Sequence, residues 1–227
     1  MLSAGTPDPT EEEAQPSMKR YEPETLAAVS RYQNYLPTLP ADLRQAVFAR
    51  MEELLAEEKD YCDAGNYEHM AQILTSIALY EVLQAHGRSE AEAYRIVSEE
   101  MWNFLDPSGM QKLAKKSFFL PLMKKVVPFG FRKKSGIGWR YTWHADDPRD
   151  EFHFECNECI YAKILGKRGL LKLGAMCCHA DIINYGSLPY TDFIRTETLC
   201  QGGNVCDFRF VRHKTDAGDG WERTKSI

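Results

Sequence analysis

The hydrophobic periodicity of the chain changes from a helical repeat in the first half to strict alternation at Trp139, and this change constrains the fold most. Apolar residues in 41–62 and again in 66–87 recur every three or four positions, which predicts two amphipathic helices. Ser89 and Glu92 then form a capping-box pattern that predicts the start of a third helix. The first half of the chain is therefore expected to be helical.

The second half contains segments whose apolar residues alternate with polar ones. The runs "WRYTWH" (139–144) and "EFHFECN" (151–157) predict an antiparallel pair joined by a short loop. Two further strands are expected over 191–200 and 205–212, joined by a hairpin turn at "QGGN". Residues 158–187 are expected to be helical, with interruptions at "GKRG" (166–169) and at Gly174. The order predicts a single α+β domain in which N-terminal helices pack on an antiparallel sheet built from two hairpins.

Composition sets the boundaries of that domain. The chain has 227 residues, of which 44% are hydrophobic, so it is long enough to bury a substantial core. Residues 1–20 are rich in Pro, Glu, Ser and Thr and predict a disordered acidic tail. The folded domain is expected to span 21–215, and 216–227 is expected to be a flexible C-terminal tail.

Charge and cysteine content narrow the class of partner and compartment. The net charge of −5 does not favour a nucleic-acid partner. The start of the chain lacks the features of a secretory signal, and no apolar run is long enough to span a membrane. Seven cysteines without a signal predict free or metal-bound thiols in a reducing, cytoplasmic compartment. The sequence does not indicate an oligomeric state.

Segment 107–145 is strongly basic. It contains nine Lys or Arg residues and no acidic residue, interleaved with aromatic and aliphatic side chains. One interpretation is a surface that contacts an anionic membrane or an acidic partner. The simpler interpretation is an amphipathic helix with a solvated basic face, which Pro121 and Pro128 are expected to keep short.

Cysteines cluster in the last third of the chain. In "CNEC", Cys156 is expected on the apolar face of a strand and Cys159 at a helix start, where the helix dipole favours a thiolate. The pair could be half a zinc site, a redox pair or two buried thiols, and no second C-x-x-C is present to complete a zinc ribbon.

The run "MCCHADIINYG" brings a thiol, an imidazole and a carboxylate together. Cys178 and Asp181 are three residues apart and so share a helix face, with His179 beside them. These groups suit nucleophilic or acid–base catalysis, metal ligation, or simply a buried thiol with a polar anchor. Further on, Arg195 lies among the hydroxyls of Thr196 and Thr198, where it could bind a carboxylate or form an ion pair within the sheet.

The C-terminal motifs resemble those of the L-2-amino-thiazoline-4-carboxylic acid hydrolase family. The matching residues are the Cys-x-x-Asp step, the strand "RTETL", the two glycines and the closing "CDFRF", preceded by a cysteine at the position of Cys159. The resemblance covers about residues 65–212, and the chain departs from the pattern at Cys200, where the family is expected to have a small apolar residue.

The resemblance implies a hydrolase that opens a cyclic C=N bond in a small-molecule substrate of thiazoline or amidine type. In that case Cys159 or Cys178 attacks the carbon, Asp181 or His179 transfers protons, and Arg195, Thr196 and Thr198 bind the substrate. No cofactor is then required.

A second resemblance, to the 4-vinyl reductase type ligand-binding domain of some sensors, implies a different function. That domain type can bind zinc through cysteines and a glutamate, which here correspond to Cys178, Glu197, Cys200 and Cys206. The alternative is therefore a zinc-stabilised small-molecule-binding or sensor domain without catalysis. Zinc at the cysteines could also activate a water for hydrolysis.

Overall fold

A computed structural model describes residues 21–214, so the predictions for the two tails lie outside the described residues. Eight α-helices and four strands are described, in the order helices, hairpin, helices, strand pair, which confirms the α+β class. The helices are α1 (Pro23–Val29), α2 (Ala41–Glu57), α3 (Tyr67–Ala85), α4 (Glu90–Asn103), α5 (Ser108–Ala114), α6 (Phe119–Lys134), α7 (Ile160–Lys167) and α8 (Leu171–Tyr185). The strands are β1 (Arg140–Trp143), β2 (Glu151–Glu158), β3 (Thr191–Ile194) and β4 (Cys206–Arg212).

Helix α3 is the centre of the helical layer. Apart from its ends, most of its side chains are buried against α1, α2, α4, α7 and α8, so it is buried on nearly every face rather than on the one face of the predicted amphipathic helix. Helix α4 begins at the predicted capping box, in which Ser89 accepts a hydrogen bond from the backbone of Glu92 and the Glu92 carboxylate accepts one from the backbone of Ser89. The predicted helices of the first half are thus confirmed.

The four strands form one antiparallel sheet in the order β1-β2-β4-β3. Its inner face carries a layer of aromatic rings, because alternate residues of each strand point to the same side. Phe154 and Phe208 are paired across β2 and β4, with ring centroids 4.5 Å apart, and Phe193 stacks on Phe210 at 5.0 Å. Helices α5, α6 and the end of α8 cover this face, and the outer face is polar.

The second strand pair differs from the predicted hairpin. Strand β3 ends at Ile194 rather than at residue 200, and residues 195–205 form a long connection that includes a short 3₁₀ turn at Leu199–Gln201. The chain leaves the sheet after Ile194 because its backbone N–H groups then donate to the side chain of Asp207 and no longer to the backbone of a neighbouring strand. The Asp207 carboxylate accepts hydrogen bonds from the backbone N–H groups of Thr196 and Glu197, each at 2.9 Å.

The basic segment also differs in detail from its prediction. Helix α6 runs through Pro128, and Pro121 lies in its first turn, where no intrahelical N–H bond is needed. Met123, Val127 and Phe131 pack against the sheet core on both sides of Pro128 and hold the two halves in line. Phe118, Val126, Phe129 and Ile137 are exposed, and contact with a membrane surface or acidic partner stays a prediction. None of the helices described is long and apolar enough to span a membrane.

Candidate functional site

Arg195 is buried at the point where the chain leaves β3, with only 3% of its surface exposed. Its Nη2 donates a hydrogen bond to Asp181 Oδ2 at 2.9 Å, and its Nη1 donates to the backbone oxygen of Cys178 at 3.0 Å. The guanidinium carbon lies 4.0 Å from the centre of the Phe208 ring. A buried cation is costly unless paired, and these contacts supply a charge partner, an acceptor and a favourable ring face.

The loop before β4 holds this arginine in place. The Nε of Arg195 donates to the backbone oxygen of Asp207 at 3.4 Å, while the Asp207 carboxylate also accepts from the hydroxyl of Thr196 at 2.8 Å. Thr196 is exposed and lies outside the pocket described below. Its interactions identify it as part of the loop framework, and binding of substrate by Thr196 stays a prediction.

Three thiols meet beside the arginine. The Cys178 thiol, in the middle of α8, lies within hydrogen-bonding reach of the thiols of Cys200 and Cys206. Hydrogen bonds from Cys200 and Cys206, with the charge of Arg195 and the hydroxyl of Thr198, outweigh burial and lower the pKa of Cys178 to about 3. The pKa values of Cys200 and Cys206 are raised because each faces the Cys178 thiolate and is buried. The negative charge of the cluster therefore resides on Cys178.

Gly174 makes this approach of thiols possible. It lies inside α8 without interrupting the helix, although the sequence predicted a break there. A Cβ added at this position would lie 2.4 Å from Cys200 Sγ, which is far closer than two such atoms can approach. Glycine therefore lets the 3₁₀ turn that carries Cys200 lie directly against α8.

A second thiol pair adjoins the first across the sheet. Cys156 is the Cα partner of Cys206 in the β2–β4 ladder, and its thiol donates to the backbone oxygen of Glu158 at 3.1 Å. A hydrogen bond with Cys159 and burial raise the pKa of Cys156. Cys159 is the N-cap residue of α7, at the predicted helix start, but it is buried and does not line the pocket.

A cavity of about 190 Å³ opens beside Cys178. Its walls come from α4, α8 and the 195–201 segment: Tyr94, Trp102, Ala175, Met176, Cys178, His179, Ile182, Arg195, Thr198 and Gln201. It thus contains four of the residues that the sequence singled out, Cys178, His179, Arg195 and Thr198, and Asp181 adjoins it through its ion pair with Arg195. A cavity of this size matches a small molecule rather than a polymer.

Helix α4 supplies pocket residues that sequence reasoning missed. The ring of Trp102 lies 4.8 Å from that of His179, and its indole N–H donates to the backbone oxygen of Met176 at 3.1 Å. Partial burial lowers the pKa of His179, so its imidazole is neutral near pH 7. In the sequence, Trp102 and Tyr94 lie on an ordinary amphipathic helix, and no local pattern marks them as pocket residues.

The four residues of the predicted zinc set do not meet as one group. The Glu197 carboxylate accepts a hydrogen bond from the backbone N–H of Asn204 at 2.7 Å, within its own loop. Between residues 21 and 214, one group of at least three His, Cys, Asp or Glu side chains has its ligand atoms within 4.8 Å of one another: His144, His153 and Glu155. Cys178 has Cys200 and Cys206 within hydrogen-bonding reach, but the three thiols do not form such a group, and of the three only Cys178 lines the pocket described above.

An α+β domain with a thiol of lowered pKa, a buried arginine and a small cavity beside them has the features of an enzyme or receptor for a small molecule. The sequence model of the L-2-amino-thiazoline-4-carboxylic acid hydrolases matches residues 66–210, and the chain belongs to that family. The matched region contains all of the residues at the pocket. Membership supports a hydrolase of thiazoline-type substrates in general. No curated protein and no solved structure matches the chain significantly.

Proposed function

We propose that the protein opens the ring of a small carboxylated substrate of thiazoline type by hydrolysis at the carbon of its C=N bond, with Cys178 as the nucleophile. The observation that carries the proposal is the position of Cys178, which faces the cavity beside Arg195 and whose pKa is lowered to about 3. A thiolate at neutral pH needs no base to activate it. Cys159 is the alternative nucleophile from the sequence, but it does not line the cavity.

Arg195 is the group suited to the substrate carboxylate. A guanidinium has five N–H groups, and three of them in Arg195 donate to Asp181, Cys178 and Asp207. The other two N–H groups and the positive charge remain for an anion in the cavity. Asp181 serves as a positioning residue that fixes the plane of the guanidinium. Thr198 is hydrogen-bonded to Gln201 at 2.9 Å, and both line the same wall.

The reaction begins with the substrate as its amidinium form. The sulfur of Cys178 bonds to the amidinium carbon, and the ring carbon–sulfur bond then breaks, so that the substrate sulfur leaves as a thiolate. This step opens the ring and leaves an isothiouronium group on Cys178. The positive charge that the substrate brings is next to the ionised thiol, so attack neutralises two buried charges.

Water completes the reaction. His179 is neutral, lines the cavity and can take a proton from the attacking water as its oxygen bonds to the same carbon. The carbon–sulfur bond to Cys178 then breaks and restores the thiolate, and His179 passes its proton to the substrate thiolate. One water is consumed and the amidinium proton is released to solvent. The product carries a carbamoyl group and a free thiol, as N-carbamoylcysteine does.

The test compares single-residue variants with L-2-amino-thiazoline-4-carboxylate as substrate. Cys178→Ala should lower kcat by at least a hundredfold, because no other thiol lines the cavity. Cys177→Ala is the matched control: Cys177 is the neighbouring residue on α8, but it packs against the helical core. Rapid quenching of the wild type should reveal an adduct on the peptide that contains Cys178. Wild-type turnover by Cys178→Ala would refute the proposal.

The second candidate is a zinc-stabilised binding domain without catalysis. The observation that favours it is the set of three neighbouring thiols, Cys178, Cys200 and Cys206, since thiolates suit zinc. Metal analysis of the reduced protein distinguishes the two candidates. Zinc that is lost in Cys200→Ser, combined with no turnover of any thiazoline, would favour the binding domain. Turnover that survives chelation would favour the hydrolase described above.

A further inference from the structure

We propose that His144, His153 and Glu155 form a binding site for a divalent transition-metal ion on the outer face of the sheet. The ligand atoms of these three side chains all lie within 4.8 Å of one another. The site lies on the polar face of β1 and β2, opposite the aromatic layer that faces the core. It shares no residue with the cavity at Cys178 and does not depend on the proposed hydrolase activity.

The hairpin builds the site from local sequence. His153 and Glu155 are two residues apart on β2, so their side chains point to the same face. His144 follows β1, and its backbone N–H donates to the backbone oxygen of His153 at 3.3 Å, which places the two histidines opposite each other. Their rings are parallel within 4° and their centroids are 4.0 Å apart.

Two features of the site favour binding of a cation. The Nε2 atom of His144 is inaccessible to solvent and has no hydrogen-bond partner, and the Glu155 carboxylate is 3.6 Å away, too far for a hydrogen bond. Glu155 is also the cross-strand partner of Asp207, and like charges opposite each other are unfavourable. A bound cation would provide a partner for the imidazole nitrogen and offset the charge of the two carboxylates.

The donor set determines the class of ion. Two imidazoles and one carboxylate suit Zn²⁺, Co²⁺, Ni²⁺ or Cu²⁺, whereas Mg²⁺ and Ca²⁺ prefer oxygen ligands alone. Zinc at bond lengths of about 2.0–2.1 Å needs ligand atoms about 3.4 Å apart in a tetrahedron. An imidazole nitrogen binds an ion in the plane of its ring, so the stacked rings of His144 and His153 must turn out of their parallel arrangement to share one ion. All three side chains are only partly buried, which leaves room for that rotation. Three protein ligands leave a fourth position for water.

Binding of Zn²⁺ and Co²⁺ to the full-length, reduced protein tests the site. Zn²⁺ should bind the wild type, and the dissociation constant should rise at least tenfold in His144→Gln and in His153→Gln. Zn²⁺ should also raise the thermal midpoint of the wild type, because it binds the folded state, and this increase should shrink in both variants. His213→Gln is the matched control, because His213 is also paired with a carboxylate on this sheet, that of Asp192 at 2.6 Å, but belongs to no such group of three.

The pocket thiols could bind the same ions, and Co²⁺ separates the two locations. An ion held by imidazole and carboxylate shows weak d–d bands, whereas a cysteine ligand adds an intense sulfur-to-metal charge-transfer band. We expect d–d bands that disappear in His153→Gln without a change in any charge-transfer band. Unchanged Zn²⁺ affinity in both histidine variants, or a wild type that binds Co²⁺ only through sulfur, would overturn the proposal.

Discussion

The guanidinium of Arg195 and the carboxylate of Asp181 are 2.9 Å apart, with the arginine almost fully buried and 33% of the Asp181 side chain exposed. The pair joins the connection after β3 to helix α8, so it links the two elements that form the cavity wall. Burial raises the pKa of Asp181, and the charge of Arg195 opposes that increase. The contact positions the cation that the proposed substrate requires.

Replacement of Arg195 should affect both stability and binding. Arg195→Leu leaves Asp181 without its partner and should lower the free energy of unfolding by about 3 kcal/mol, near the low end for a broken buried pair because Asp181 is partly exposed. Arg195→Lys keeps the charge but loses the planar fork of the guanidinium. It should raise KM, with a smaller loss of stability than in Arg195→Leu. Urea unfolding and steady-state kinetics measure the two effects. Equal KM values in Arg195→Lys and the wild type would contradict the assigned role.

Cys178 should react with an alkylating agent at a pH where the other thiols do not. At pH 5 a group with a pKa of about 3 is almost entirely thiolate, whereas the pKa of Cys62 is raised to about 11 and that of Cys177 is also raised. Iodoacetamide at pH 5 should therefore label Cys178 first, as measured by peptide mass spectrometry. Low pKa also reduces intrinsic nucleophilicity, so the selectivity rather than the absolute rate is the result to compare. Preferential labelling of Cys62 would contradict the assignment.

Acid should weaken the protein through His69. Its ring lies 4.7 Å from that of Trp139, and desolvation lowers its pKa from 6.5 to about 4. A histidine whose pKa is lower in the folded than in the unfolded state makes its full contribution to stability at a pH above its unfolded pKa. This contribution is lost as the pH falls from 6.5 to 4, because the unfolded state then binds a proton that the folded state does not. The free energy of unfolding should drop by about 2–3 kcal/mol across that range. His69→Gln should reduce the drop, while His86→Gln serves as the control, because His86 is exposed at the end of α3.

Two glycine substitutions should change stability in opposite directions. Gly174→Ala places a Cβ against the thiol of Cys200 and should destabilise the fold by about 1–3 kcal/mol, as overpacking does. Gly130→Ala, inside α6 with nothing within 4 Å of the added carbon, should stabilise it by about 0.5–1 kcal/mol. Gly174→Ala should also slow alkylation of Cys178 at pH 5, because a displaced Cys200 no longer stabilises the thiolate. Urea titration and labelling rates test both expectations.

The elements predicted best are those with a local cause. The capping box at Ser89, the helical repeat of α3 and the alternating face of β2 depend on spacing along one segment, and all three are confirmed. The sequence predicted that Pro128 would keep helix α6 short, because a proline inside a helix removes a hydrogen bond and destabilises the helix. In the structure, packing on both sides of the proline outweighs that loss of helix stability. Strand β3 was predicted too long, because alternation does not reveal that the side chain of Asp207 binds the backbone beyond Ile194.

The sequence by itself determined the α+β order, the family and the residue types at the site, since periodicity and motifs are properties of neighbouring residues. Only the tertiary structure decided which thiol faces the cavity. The sequence alone does not distinguish Cys159 from Cys178 as the nucleophile. In the structure Cys159 is the buried N-cap residue of α7, whereas Cys178 lies between two thiol donors and a buried cation. A pKa and an orientation depend on groups brought together from distant segments, so Trp102 on α4 is recognised as a pocket residue only in the folded structure.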